Sequence, residues 1–137
     1  GLESINTLLF QLTSSSNPLK GYLGFNYSLS IPIKKFWFNF FDSNLFNIDD
    51  IKLIIPNCKK LKSFFTSFSR TLNISINTNT FHFDNLSENL TFLVDSKVII
   101  INFKPNSEYC IVIESEDLYT FYTLFFDKVW FSLNSAK

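Results

Sequence analysis

The chain has 137 residues and a mass of 16.0 kDa, the span of one domain, which excludes a two-lobed enzyme with a cleft between domains. Hydrophobic residues make up 46% of it, enough apolar area for a core without disulfides or structural metal, so disorder is excluded as the main state. Twelve Lys and Arg balance twelve Asp and Glu, which leaves no net field to hold a polyanion such as DNA.

Leu2, Ile5, Leu9 and Leu12 recur at steps of three and four, which predicts a short amphipathic helix over 2–12. Asn17-Pro18 breaks it, and the run through Tyr27, punctuated by Gly21 and Gly24, predicts a first strand over 21–28. Pro32 suits a first helical turn; Ile33, Phe36, Trp37, Phe40, Phe41 and Leu45 then predict a helix with an aromatic face. Ile51 to Pro56 is a short apolar run stopped by proline, as in a parallel strand buried on both faces.

Asn57 is the predicted cap of a third helix, with Cys58, Leu61, Phe64, Phe65 and Phe68 inside and Lys59, Lys60 and Lys62 outside. Leu72, Ile74 and Ile76 alternate with polar residues and predict a half-buried strand; Phe81 and Phe83 around His82 predict another short one. Leu90 to Val94 and Val98 to Phe103 form a hairpin across Asp95-Ser96-Lys97, and Tyr109 to Glu114 is the next strand. Ser115 caps a last helix with Glu116 and Asp117 in its first turn, where the helix dipole favours negative charge. Its predicted inner face is Leu118, Phe121, Tyr122, Phe125, Val129 and Leu133, closed by Trp130. The order α-β-α-β-α-β-β-β-β-β-α combines an early parallel βαβ unit with later antiparallel hairpins: an α/β protein of three layers, α/β/α, around a mixed sheet.

Chemistry-bearing residues are sparse. Cys58 and Cys110 lie far apart without a CxxC spacing, and with a single His the chain lacks ligands for zinc. Two free thiols and a cytoplasmic setting are expected, with no cofactor. No apolar run approaches the roughly 18 to 20 residues of a membrane span, so no membrane partner is expected. No G-x-S-x-G elbow stands ready to use His82, and Gly1, Gly21 and Gly24 build no phosphate loop. Eighteen Phe, and eleven Lys beside one Arg, match an A/T-rich coding bias, so Phe abundance is no functional signal by itself. Four N-x-S/T sequons, at Asn26, Asn73, Asn85 and Asn89, are about as many as chance gives in so Asn-rich a chain. The absence of Met, even at position 1, reads as a chain that begins inside a longer product.

A series of phrases in fixed order resembles one family. They are GLESI at 1–5, GYLGF at 21–25, IDDIKLIIPN at 48–57, LNISIN at 72–77, FLVDSKVIIINF at 92–103, IVIESEDL at 111–118 and FFDKVW at 125–130. Together they resemble the C-terminal effector domain of archaeal TrmB-like transcriptional regulators, which is built on a phospholipase-D-like half-domain. The helix at 36–41 departs from the family: Phe36, Trp37, Asn39 and Phe41 stand where basic residues are common. The resemblance implies a winged-helix DNA reader upstream, so that DNA is contacted only through that domain. Phospholipase-D catalysis needs HxKx4D, with His as nucleophile and Lys neutralising phosphate. Aligned on the hairpin, Asp95 takes the Asp position, while Glu88 and Leu90 stand where His and Lys belong. A carboxylate and a leucine cannot do that work, so no catalytic residue is expected and Asp95 reads as a turn residue.

The expected function is a non-catalytic, ligand-sensing and dimerising effector domain, in which a small-molecule effector or partner biases two upstream DNA readers. Its pocket is expected outside the carboxyl ends of the central strands, near Asn26, Asn57, His82 and Glu88. The alternative is a protein-interaction module without ligand, using surplus aromatics at 36–41 and 121–131 as an exposed patch. A basic stretch (Lys52, Lys59, Lys60, Lys62, Arg70) and an acidic one (Glu108, Glu114, Glu116, Asp117, Asp127) are either solvated faces, complementary contacts between two subunits of a homodimer, or, for the basic helix, a contact with DNA-flanking phosphate; overall neutrality favours the subunit contact over the phosphate one.

Overall fold

The computed structural model describes residues 4, 5, 7, 18–23, 31–44, 50–81, 89–104 and 106–135. They form strands β1 (Leu19–Leu23), β2 (Asp50–Pro56), β3 (Ser75–Phe81), β4 (Asn89–Val94), β5 (Lys97–Asn102) and β6 (Tyr109–Glu114). Three helices accompany them: α1 (Ile31–Asn44), α2 (Lys59–Leu72) and α3 (Glu116–Ser135). Of the helix predicted at 2–12, Ser4, Ile5 and Thr7 are described; all are helical and Ile5 is buried.

The protein is α/β, with one six-stranded mixed sheet in the order β3-β2-β1-β4-β5-β6. β1 pairs parallel with β2, and β2 parallel with β3. β4 joins β1 antiparallel, and β5 and β6 follow antiparallel. The change from parallel to antiparallel follows connection length: helices separate β1, β2 and β3, whereas Asp95-Ser96 alone joins β4 to β5. Asp95 and Ser96 have φ of 53° and 62°, and two successive left-handed residues are what a two-residue hairpin matched to strand twist requires.

Helices lie on both faces. α1 and α2 cover one, where Phe36, Trp37, Phe40, Phe41, Leu61 and Phe65 bury against Leu19, Leu23, Leu53, Phe92 and Ile99. α3 covers the other, with Phe126 buried against Ile54, Leu93 and Val98. Phe92 sits under the aromatic ridge of α1, stacked on Phe40 at 5.1 Å and edge-on to Trp37 at 6.0 Å. It can do so because its partner across the sheet is Gly21: a Cβ there would lie 2.9 Å from Leu53 Cδ2 and 3.1 Å from Phe92 Cδ1.

Several sequence expectations need correction. The first strand runs 19–23 rather than from Gly21 onward, and 24–30 lie outside the described residues. Cys58, not Asn57, holds the N-cap position of α2, in extended backbone and without a side-chain cap bond. Asn57 is still bound to the sheet, its N–H donating to Phe81 O at 3.2 Å. Leu72 ends α2 instead of starting a strand. Asn73 closes the helix in the left-handed region at φ 53°, and the Ile74 N–H donates to Ser69 O at 3.2 Å. Leu72, Ile74 and Ile76 do share one core, but they enter it from three kinds of backbone. Phe81 is the last residue of β3, not a separate strand, and His82 and Phe83 lie outside the described residues.

The helix at 36–41 is no exposed patch: Phe36, Trp37, Phe40 and Phe41 are buried, and Phe38 alone of its aromatic residues is exposed. Phe92→Ala, at the centre of the ridge, is therefore expected to cost about 3–5 kcal/mol in guanidinium unfolding. Phe38→Ala, 53% exposed, is expected to stay within about 1 kcal/mol of the parent.

Candidate functional site

Of the four residues predicted to line a pocket, Asn57 alone is described. It is exposed at the carboxyl end of β2, beside the last residue of β3. Asn26, His82 and Glu88 lie outside the described residues.

Asp95 sits at the opposite end of the sheet, where β4 ends beside the start of β1. Its carboxylate is 3.6 Å from Lys97 Nζ, which also donates to the Asp95 carbonyl at 3.3 Å. Around this turn is an open cleft of about 260 Å³ lined by Asp95, Ser96, Lys97, Glu114, Ser115 and Glu116. Ser115 is committed to capping α3, its Oγ accepting from Leu118 N–H at 3.2 Å. Three carboxylates against one lysine repel a phosphodiester. Among the described residues no three His, Cys, Asp or Glu converge as metal ligands. Leu90, in the position a phosphodiesterase would give to lysine, is wholly buried on the α1–α2 side.

The charged stretches of the sequence also divide. Lys59, Lys60, Lys62 and Arg70 are exposed on α2, but Lys52 belongs to the α3 face, over the Trp130 ring at 5.8 Å. Asp127 leaves the acidic group to bind Lys20 at 2.6 Å. Cys58 and Cys110 are free; burial raises the Cys110 thiol pKa and keeps it protonated.

α3 differs most from expectation. Tyr119, Tyr122, Val129, Trp130 and Leu133 pack around Phe126 on the sheet. Leu118, Phe121 and Phe125, expected inside, face outward. Polar anchors set this rotation: Lys20–Asp127 holds the middle of the helix, and Asn79 Nδ2 donates to Asn134 Oδ1 at 3.0 Å near its end. The Phe126 ring meets Tyr22 edge-on at 5.0 Å. The sequence does carry a signal for an outward face, because α3 has apolar residues on nearly every side while a single sheet accepts one stripe. Phe121 is 64% and Phe125 57% exposed. Tyr109 and Ile111 on the edge strand β6 are exposed as well. Ile113 packs under α3, and alternation puts Tyr109 and Ile111 on that same face.

No protein-family model matches the chain, and no characterised protein matches it in sequence. Among the described residues no helix is long and apolar enough to cross a membrane.

Tyr22 gives a titration test of the α3 interface. Its hydroxyl is buried without a partner among the described residues. Burial, and secondarily the Asp127 charge, raise its pKa well above the ordinary tyrosine value. A folded pKa above the unfolded one makes the contribution complete below the unfolded value of 10.0 and lost progressively as pH rises beyond it. Tyr22→Phe is expected to match the parent near neutrality and to lose less stability than the parent above about pH 10, measured by chemical denaturation across pH.

Proposed function

We propose that this chain is a non-catalytic effector domain of a transcriptional regulator, built on a phospholipase-D-like half-domain as in archaeal TrmB-like proteins. In this proposal it works in the cytoplasm, associates with itself, senses a small molecule and reaches DNA only through an upstream reader. Four of the phrases behind the resemblance lie on the described elements. IDDIKLIIPN leads through β2, FLVDSKVIIINF is the β4–β5 hairpin, IVIESEDL runs from β6 into α3, and FFDKVW lies on α3.

Leu90 carries the non-catalytic half of the proposal. A residue fully enclosed in the core can offer no charge to phosphate, and Asp95 is occupied as a left-handed turn residue beside Lys97. For sensing, Asn57 marks the carboxyl end of the parallel strands, where ligands of open α/β sheets bind. The alternative, an interaction module with no ligand, is favoured by the outward apolar face of α3.

The purified chain is expected to release no nitrophenolate from bis(p-nitrophenyl) phosphate above the buffer rate, and Asp95→Ala to behave identically. Turnover that Asp95→Ala abolishes would make the chain an enzyme. A metabolite screen by thermal shift separates the two remaining readings. A compound that raises Tm in the parent but not in Asn57→Ala favours sensing, because ligand bound to the native state stabilises it; a flat screen favours the interaction module.

A further inference from the structure

α3 starts beside the end of β6 and crosses the sheet obliquely, meeting β1 through Phe126 and Asp127, β2 through Trp130 and β3 through Asn134. β6 is the sheet's edge strand, and the helix leaves it at once, so Tyr109 and Ile111 stay uncovered. At 3.6 residues per turn, Phe125 lies about 160° and Phe121 about 120° round the helix from Asp127. With Asp127 turned to Lys20, Phe125 lies toward the opposite side of the helix, and Phe121 between that side and the solvent-facing outer surface.

On the outer side of the helix, centred about 160° from the buried Phe126, the residues read Asp117, Phe121, Leu124, Phe125, Lys128, one continuous stripe with an acid at its start and a base at its end. Leu124 is 65% exposed. Asp117 and Lys128 are exposed, and neither has an ion-pair partner among the described residues. The exposed parts of Leu118, Phe121, Leu124, Phe125, Tyr109 and Ile111 amount to roughly 600 Å². With a polar rim this approaches the ~800 Å² per partner of a standard stable interface.

We infer that this face is covered by a second copy of the chain, with the two α3 helices antiparallel across a twofold axis. The inference rests on the self-association in the proposed function and supplies its surface and arrangement. In that arrangement Asp117 meets Lys128 of the second copy, Phe121 meets Leu124, and the same contacts repeat by symmetry. Parallel helices would instead set Asp117 against Asp117 and Lys128 against Lys128, so the charges select the antiparallel pairing. The apolar stripe supplies the attraction and the two ion pairs supply register.

Sedimentation of the full chain over a concentration series tests this. The parent is expected to be dimeric at about 50 µM, well above the Kd of a standard-size interface. Phe121→Ser with Phe125→Ser is expected to be monomeric throughout. Asp117→Lys alone and Lys128→Asp alone are each expected to weaken the dimer about tenfold or more, by placing like charges together. Mixing these two variants is expected to restore association as a heterodimer, as is combining both changes in one chain. Rescue by mixing also shows that each variant is folded. A monomeric parent, single reversals without effect, or no rescue on mixing overturns the twofold pairing; the effector reading is judged separately, by the hydrolysis assay and the metabolite screen.

Discussion

At Gly21 the sheet draws Leu53 and Phe92 in closely, and the helices above are arranged around that closeness. β1 is where the parallel half of the sheet meets the antiparallel half. A side chain at residue 21 would collide with Leu53 on one neighbour and Phe92 on the other. Without one, Phe92 lies flat enough to take Phe40 on its face and Trp37 at its edge. Trp37 in turn meets Phe65 of α2 at 5.1 Å, so one bare position in the sheet lets both helices on that side seat as a unit.

The two faces of the sheet are therefore unequal. Among the described residues, α1 and α2 pack aromatic side chains on one, while α3 lies obliquely across the other. The polar groups near the hairpin turn are largely engaged in holding the fold: Ser115 caps, Lys97 braces Asp95, and Lys20 fixes α3 through Asp127. Most of the large apolar side chains left exposed among the described residues lie on α3 and β6, with Phe38 on α1 and Phe81 on β3 the others.

Much of the fold was legible from residue patterns because local chemistry and tertiary environment agreed. The β4–β5 hairpin could be placed from Asp95-Ser96, since Asp and Ser are common turn residues and the flanking runs are strongly apolar. β6 and the Ser115 cap followed from equally local signals. Disagreement arose where two periods fit the same residues. Leu72, Ile74 and Ile76 satisfy a strand's alternation although α2 extends to Leu72, because the helix end and the strand start both point into one core. On α3 the expected inner face held for Tyr122, Val129, Trp130 and Leu133 but not for Leu118, Phe121 and Phe125: two apolar stripes compete for the sheet, and ties to Lys20 and Asn79, remote in sequence, choose between them. Of the candidate pocket, Asn57 was placed at a strand end as expected, although its backbone continues the sheet and Cys58 takes the capping position.

The oblique course of α3 has a mechanical consequence. One end of the helix is continuous with β6 at one margin of the sheet, and the other is tied to β3 at the opposite margin through Asn134. It acts as a diagonal brace, like the crossbar of a gate, resisting shear between the parallel and antiparallel halves. A load on its outer flank is thereby delivered to Asn79, two residues before the terminus of β3 whose carbonyl receives Asn57.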